Sequence, residues 1–286
     1  MKLIKPSVEF YGAVPTDYES AIKFIETAGR TCYKSEDKIT ETSAEGFVKK
    51  LINAGHLAMV EHSNFVVHNK IPSQYRDPLI FINAPYLKTV TIDDTIYIGG
   101  NLRAWAEHTI TEGIPDYCAP FTVRYGKLFN IEFNNFGSGL WSCCHNDMIP
   151  PSLHRYSAKF ICNRTVSHEL VRHRPCSFAQ ESQRYVNYGN KDMEFIEPVN
   201  YTSWTLTAKA LFEGGLKSDE HTYKNLIKEN LLPQQARAKL PNAIKTEIVV
   251  TADSSEWSHI LSLRTSKAAD PEMQRVMNMM PWNKII

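Results

Sequence analysis

The chain of 286 residues has six cysteines, Cys32, Cys118, Cys143, Cys144, Cys162 and Cys176, but no Cys-x-x-Cys pair and no regular framework among them. A chain this long folds without covalent staples, so reduced thiols in a cytosolic setting are expected. Adjacent thiols rarely ligate one ion and Cys143, Cys144, His145 and His154 form no paired knuckle, so no metal is expected there. Long apolar runs are lacking too. Nothing approaches the roughly 18 residues of a membrane span, and the start, Met1-Lys2-Leu3-Ile4-Lys5-Pro6, has no apolar signal core. The expectation is a soluble, cytoplasmic protein with no membrane partner. Charge of one sign is also missing: 32 Lys and Arg against 31 Asp and Glu leave about +1, which argues against the broad basic surface of a nucleic-acid binder. Gly99-Gly100 is followed by no G-x-G-x-x-G or Walker pattern, so any dinucleotide must be held by other means.

What is present suits one large core, with 43% hydrophobic residues and amphipathic segments of both periods. Asp17 to Tyr33 and Thr42 to Ala54 read as helices, the second closed by Gly55. Asn64 to His68 reads as a strand, and Val90 to Ile92 and Ile96 to Ile98 as a hairpin around Asp93-Asp94. A helix follows from Asn101 to about Thr111. Residues 113 to 151 read as a loop-rich excursion, on their prolines, Phe129-Asn130 and Asn134-Asn135. Ser203 is expected to cap a long helix from Trp204 to Asn230, bent or split at Gly214-Gly215. A strand at Ala243 to Thr251 and a helix at Asp253 to Lys267 complete the pattern. Without regular βαβ alternation, the expected fold is α+β, a mostly antiparallel sheet flanked by helices, in a single domain over 1–286.

Chemistry concentrates between Arg164 and Tyr185, where arginines, two histidines, two carboxylates and Gln180 fall within about two dozen residues. Pro175 pushes Arg174 out of helical space, so a helix over Ser157 to His173 is expected to end there. It would carry Arg164, Glu169 and Arg172 on one broad face. Gln180, Ser182 and Arg184 would alternate along one side of an extended segment. Two such faces suit a flat, phosphorylated molecule, although the same charges also suit a solvated face with surface ion pairs. A nucleic-acid-binding module using 172–188 and a metal hydrolase using His168, His173 and carboxylates are the other readings.

Arg172-His173-Arg174, followed at seven residues by Ser182 and then by Arg184-Tyr185, resembles the signature of the flavin-dependent thymidylate synthases. Gly55 to His62 is similar to that family's G-H-x-S-x-x-E-H, with His56, Glu61 and His62 in place and Ala58 where the serine stands. Ala236, Arg237, Leu240 and Pro241 fill its A-R-x-x-L-P, and Trp257, His259 and Arg264 fill its C-terminal helix. The family usually has an asparagine and an arginine where this chain has Asp253 and Ser255.

The resemblance implies methylation of dUMP to dTMP, with 5,10-methylenetetrahydrofolate as carbon donor and NADPH as reductant through FAD, in a homotetramer with shared sites and no nucleic-acid partner. It implies Arg264 and Arg172 as catalytic residues. The cofactor would lie against His56, Ala58, Glu61, Arg172, His173, Arg174, Gln180, Asp253, Ser255 and His259. The substrate would lie against Arg164, Glu169, Arg172, Gln180, Glu181, Ser182, Gln183, Arg184, Arg237 and Arg264. Ser182 goes to nucleotide binding, since no His-Asp relay is spaced to activate it.

Overall fold

The computed structural model describes residues 1–70, 86–112, 115–132 and 141–285. Strands β1 (Lys2–Ile4) and β2 (Ser7–Ala13) come first. Asp17 accepts from the Ser20 amide at 2.9 Å to cap α1 (Tyr18–Tyr33), whose Ala21, Ile22, Ile25 and Ala28 turn inward. α2 (Ser43–Asn53) buries Ala44, Val48 and Leu51, and Gly55 follows it at φ +72°, a left-handed position that glycine takes without strain. β3 (Phe65–Lys70), β4 (Lys88–Ile92) and β5 (Thr95–Gly100) precede α3 (Leu102–Thr111) and α4 (Ala119–Phe129). β6 (Ser142–Cys143), β7 (Arg155–Asn163), α5 (Arg164–Leu170), β8 (Ser177–Gln180) and β9 (Glu194–Ile196) follow. α6 (Leu206–Lys228), α7 (Pro233–Ala236), β10 (Lys245–Asp253), α8 (Ser254–Arg264) and α9 (Pro271–Met277) complete the order.

The site hangs on a four-stranded antiparallel sheet in the order β2-β7-β10-β8. β10 is covered on both faces, so nearly all of it is buried. Ile248, Val250 and Ala252 join Ala158, Phe160 and Cys162 of β7 beneath α5, α8 and α9, while Val249 faces the core that contains α1. A second antiparallel sheet, β4-β5-β3-β6, packs with α2, α3 and α4 around Phe65, Trp105, Phe121 and Tyr125. β1 and β9 form a parallel pair, and a third cluster joins Phe195 of β9 to Leu216 and Tyr223 of α6. The architecture is the expected mixture of helices and mostly antiparallel sheet.

Four local expectations are corrected. Residues 157–163, expected to begin a helix running to His173, belong to strand β7 (Arg155–Asn163), and only Arg164–Leu170 is helical. Tyr156, Ala158, Phe160 and Cys162 alternate toward one core, the period of a strand, and Asn163 starts the helix by accepting from the Val166 amide at 2.9 Å. Arg172 therefore lies beyond the helix that carries Arg164 and Glu169. Extended backbone ends at Gln180, and Ser182 opens a turn closed by the amides of Tyr185 and Val186 onto its carbonyl, so Ser182 and Arg184 do not continue an alternation. Within 113–151 the chain forms α4, which buries Phe121, Tyr125 and Leu128, with Pro120 in its first turn; Asn134-Asn135 lies outside the described residues. Finally, Thr205 rather than Ser203 caps α6, which runs unbroken through Gly214-Gly215.

Candidate functional site

α5 and α8 both begin where a strand of the central sheet ends, and their C-terminal ends meet. Asp253 caps α8 by accepting from the Glu256 amide at 2.9 Å, and Trp257 and Ile260 fix its inner face. Arg264, at the last turn, reaches the end of α5: its Nη1 donates to Glu169 Oε2 at 2.5 Å and its Nη2 to the Glu169 carbonyl at 2.9 Å. Its Nε donates to His173 Nε2 at 3.0 Å. That bond leaves the His173 proton on Nδ1, which faces Glu256 Oε1 at 3.3 Å. Burial, then the charges of Arg264 and His259, pushes His173 down to about 4, so the ring is neutral near pH 7. His259 packs edge-on to it, ring centroids 5.7 Å apart. The structure thus brings Arg264, Glu169, His173 and His259 together.

A cleft of about 320 Å³ opens beside this cluster. It is lined by the expected Glu61, Arg174 and Asp253, and also by Lys88, Arg103 and Arg155. Ser255 donates to Asp253 Oδ1 at 2.5 Å. At the opposite end of α5, Arg164 bonds His168 at 2.9 Å. Burial disfavours the charge of Arg164, and the neighbouring Arg237 guanidinium adds to that. Two such cations side by side suit a dianion.

Other expected residues are placed differently. Glu181 is buried, accepting from Tyr188 at 2.7 Å and Lys245 at 3.3 Å. Gln180 turns into the sheet, its Nε2 donating to Ser167 and Thr246 at 2.9 and 3.2 Å. His56 bonds Tyr33 at 2.7 Å, Tyr33 packs on Tyr185, and Arg184 lies over the Tyr185 ring. Ser182 accepts from the Arg184 amide at 3.3 Å, Gln183 beside it is half-buried, and Arg172, Ala58 and Arg237 are exposed. His62 is fully buried against Thr251 at 2.8 Å, a structural histidine held neutral. Sequence reasoning missed Glu256, Lys88, Arg103 and Arg155. Arg103 four residues before Glu107 looks like a surface pair, and Arg155 sits in a stretch misread as the approach to a helix; only Glu256, in the first turn of a site-bearing helix, gave a usable signal.

The family model for thymidylate synthase complementing protein matches residues 16–75 and 153–282, more than half of the chain. The chain belongs to the thymidylate synthase complementing protein family. Three curated members, each named flavin-dependent thymidylate synthase, align with it. The Geobacter sulfurreducens protein is 33% identical over 148 residues, 52% of this chain and 63% of that protein. The Corynebacterium efficiens protein is 33% identical over 129 residues, 40% and 50% of the two chains, and the Thermococcus onnurineus protein 36% over 124 residues, 40% and 47%. The matched stretches thus span about half to two-thirds of those relatives. The solved UMP/dUMP methylase of Streptomyces cacaoi is 14% identical, with a TM-score of 0.46 over 100% of this chain and 93% of that one. The two matched blocks of the family model carry the Arg264 cluster and Glu61, whereas Lys88 and Arg103 fall in the unmatched 76–152.

Proposed function

We infer that the chain methylates dUMP to dTMP, with 5,10-methylenetetrahydrofolate as carbon donor and NADPH as reductant through bound FAD. The observation that carries the reading is the Arg264 guanidinium clamped by Glu169 and His173 in a member of this family. A guanidinium has five N–H groups; Glu169 and His173 take one from each nitrogen, leaving a donor on each terminal nitrogen for the carbonyl oxygens of a uracil ring. As C5 becomes nucleophilic, negative charge builds on those oxygens, and a planar cation already held in place stabilises it without reorganising. Neutral His173 serves as the acceptor that keeps the fork in plane. The nucleotide phosphate goes to Arg164 and Arg237. Arg164 lies five residues and roughly 8 Å of helical rise from Glu169, about the reach of a nucleotide. Arg172, just past the end of α5, bridges nucleotide and flavin, with Ser182, Gln183 and Arg184 at the rim.

The cleft fits a phosphate-bearing cofactor, because cations line it and Arg155 Nε is buried there with no hydrogen-bond partner. FAD held there supplies the hydride it receives from NADPH. Glu61, Arg174, Asp253 and Ser255 would hold it, with His56, His173 and His259 toward the ring and the Ala58 backbone standing in for a serine. Active sites shared in a homotetramer complete the reading, and light scattering checks the assembly. Of the basic residues of 172–188, Arg174 lines the cleft and Arg184 lies over the Tyr185 ring. The test is the absorption spectrum of the purified protein, followed by incubation with dUMP, methylenetetrahydrofolate and NADPH. A flavin spectrum with dTMP formed is expected; a colourless protein that takes up no added FAD and makes no dTMP overturns the reading.

A further inference from the structure

Of the charged groups lining the cleft, the carboxylates are already paired. Glu61 accepts from Arg103 Nη1 at 2.8 Å, Glu107 from Arg103 Nε at 2.7 Å, and Asp253 is ion-paired to Lys88. Arg174 and Arg155 make no ion pair among the described residues, and the four cations of the lining exceed its three carboxylates by one. Arg155 Nη2 donates to Ser177 Oγ at 2.9 Å and to the Glu61 carbonyl at 3.4 Å, while its buried Nε has no hydrogen-bond partner. A cavity with a surplus cation and an unsatisfied buried donor selects an anion.

Lys88 arrives from β4, inside the stretch the family model leaves unmatched. It reaches the start of α8, where it pairs with Asp253 and comes within 3.5 Å of Ser255 Oγ. Lys88 thus brings a cation to the Asp253 carboxylate from a different part of the chain.

We propose that Lys88 is a cofactor-binding residue supplied by the stretch the family model leaves unmatched, which neutralises Asp253 and presents its ammonium, beside Arg174 and Arg155, to the adenosine-side phosphate of FAD. The inference rests on the FAD assignment above. Burial pushes the Asp253 carboxyl up, but hydrogen bonds from Lys88, Ser255 and the Glu256 amide hold it below its ordinary range. Without Lys88 a bare carboxylate faces the phosphates.

Titration of apoprotein with FAD and with FMN, followed by flavin fluorescence, tests this. FMN keeps the isoalloxazine ring but lacks the second phosphate and the adenosine. Lys88→Gln is expected to weaken FAD by roughly tenfold to a hundredfold, the range for one charged hydrogen bond, while FMN affinity is retained, which also shows that the variant is folded. Adding Asp253→Asn to Lys88→Gln should recover much of the lost FAD affinity, since asparagine keeps the helix cap and removes the charge. Undiminished FAD affinity in Lys88→Gln, an equal loss for FAD and FMN, or no recovery in the double variant overturns the proposal. A wild-type protein that binds neither flavin overturns the FAD reading itself.

Discussion

Arg264 and Lys88 show how the same charge takes different work from its partners. Arg264 is held on three nitrogens and is planar, so Arg264→Lys keeps the charge but loses the fork. Turnover should fall by about 10² to 10³, as when one transition-state donor is removed, with a smaller change in dUMP affinity and normal flavin reduction by NADPH. Separate measurement of the two half-reactions checks this, and a raised KM with normal methyl transfer would make Arg264 an ordinary binding residue. His173 carries a second prediction. Its folded value of about 4 lies below the ordinary 6.5, so between those pH values the unfolded chain takes up a proton that the folded chain refuses. Stability is full above pH 6.5 and declines as pH falls toward 4. Urea midpoints measured across that window should drop in the wild type and drop less in His173→Asn; parallel profiles would remove His173 as a source. His62, pushed to about 3, leaves a residual slope in both.

At the scale of elements, what could be read depended on whether a segment's pattern had one explanation. α1 and α2 have clean apolar stripes and proper ends, and Asp93-Asp94 between alternating runs specified its hairpin. β7 misled because a half-buried strand followed at once by a helix offers no turn residue between them, so the helical signal of α5 spread backward across it. α4 was hidden by Pro120, which belongs in a first turn, and by Gly126, where an added Cβ would lie 2.9 Å from the Ile131 carbonyl. α6 was expected to bend at its two glycines, yet it is continuous and both are open to solvent. Gly214→Ala should therefore stabilise the protein by about 0.5 to 1 kcal/mol. Gly100→Ala should do the opposite, since its Cβ would meet Leu87 at 2.6 Å and the Tyr86 carbonyl at 2.9 Å, an overpacking that costs about 1 to 3 kcal/mol. Urea denaturation of both variants gives the two signs; a destabilised Gly214→Ala would mean that the helix needs its flexibility.

For the molecule as a whole, the site residues were legible as motifs but their grouping was not. R-H-R reads as one string, yet His173 turns to Arg264 while Arg174 lines the cleft, and G-H-x-x-x-x-E-H separates His56 at Tyr33 from Glu61 at Arg103. Only the packing of one sheet on another brings Lys88 to Asp253. The proposed phosphate site draws Arg237 from the cluster around α6 and α7 and Arg164 from the start of α5. A nucleotide that ties them should raise the melting temperature, by an amount equivalent to about 2.7 kcal/mol at a hundred times its Kd. At the same dUMP concentration Arg237→Ala should show a much smaller rise, and an undiminished one would place the phosphate elsewhere.

Both helices that carry the Arg264 cluster leave their strands with no intervening residue: β7 gives way to α5 at Asn163 and β10 to α8 at Asp253. The two strands are paired along their whole length, Arg155 with Asp253 and Asn163 with Lys245. Deleting one residue anywhere in either strand would turn the helix it feeds and draw it back by about 3.3 Å, separating Glu169 from Arg264 while leaving the chain able to fold. Lineages of this protein should therefore accumulate insertions and deletions freely in 76–152 and almost never in 155–170 or 245–264. On the proposed function, the variable part of the inheritance would decide how the cofactor is gripped, and the length-locked part whether the base is activated.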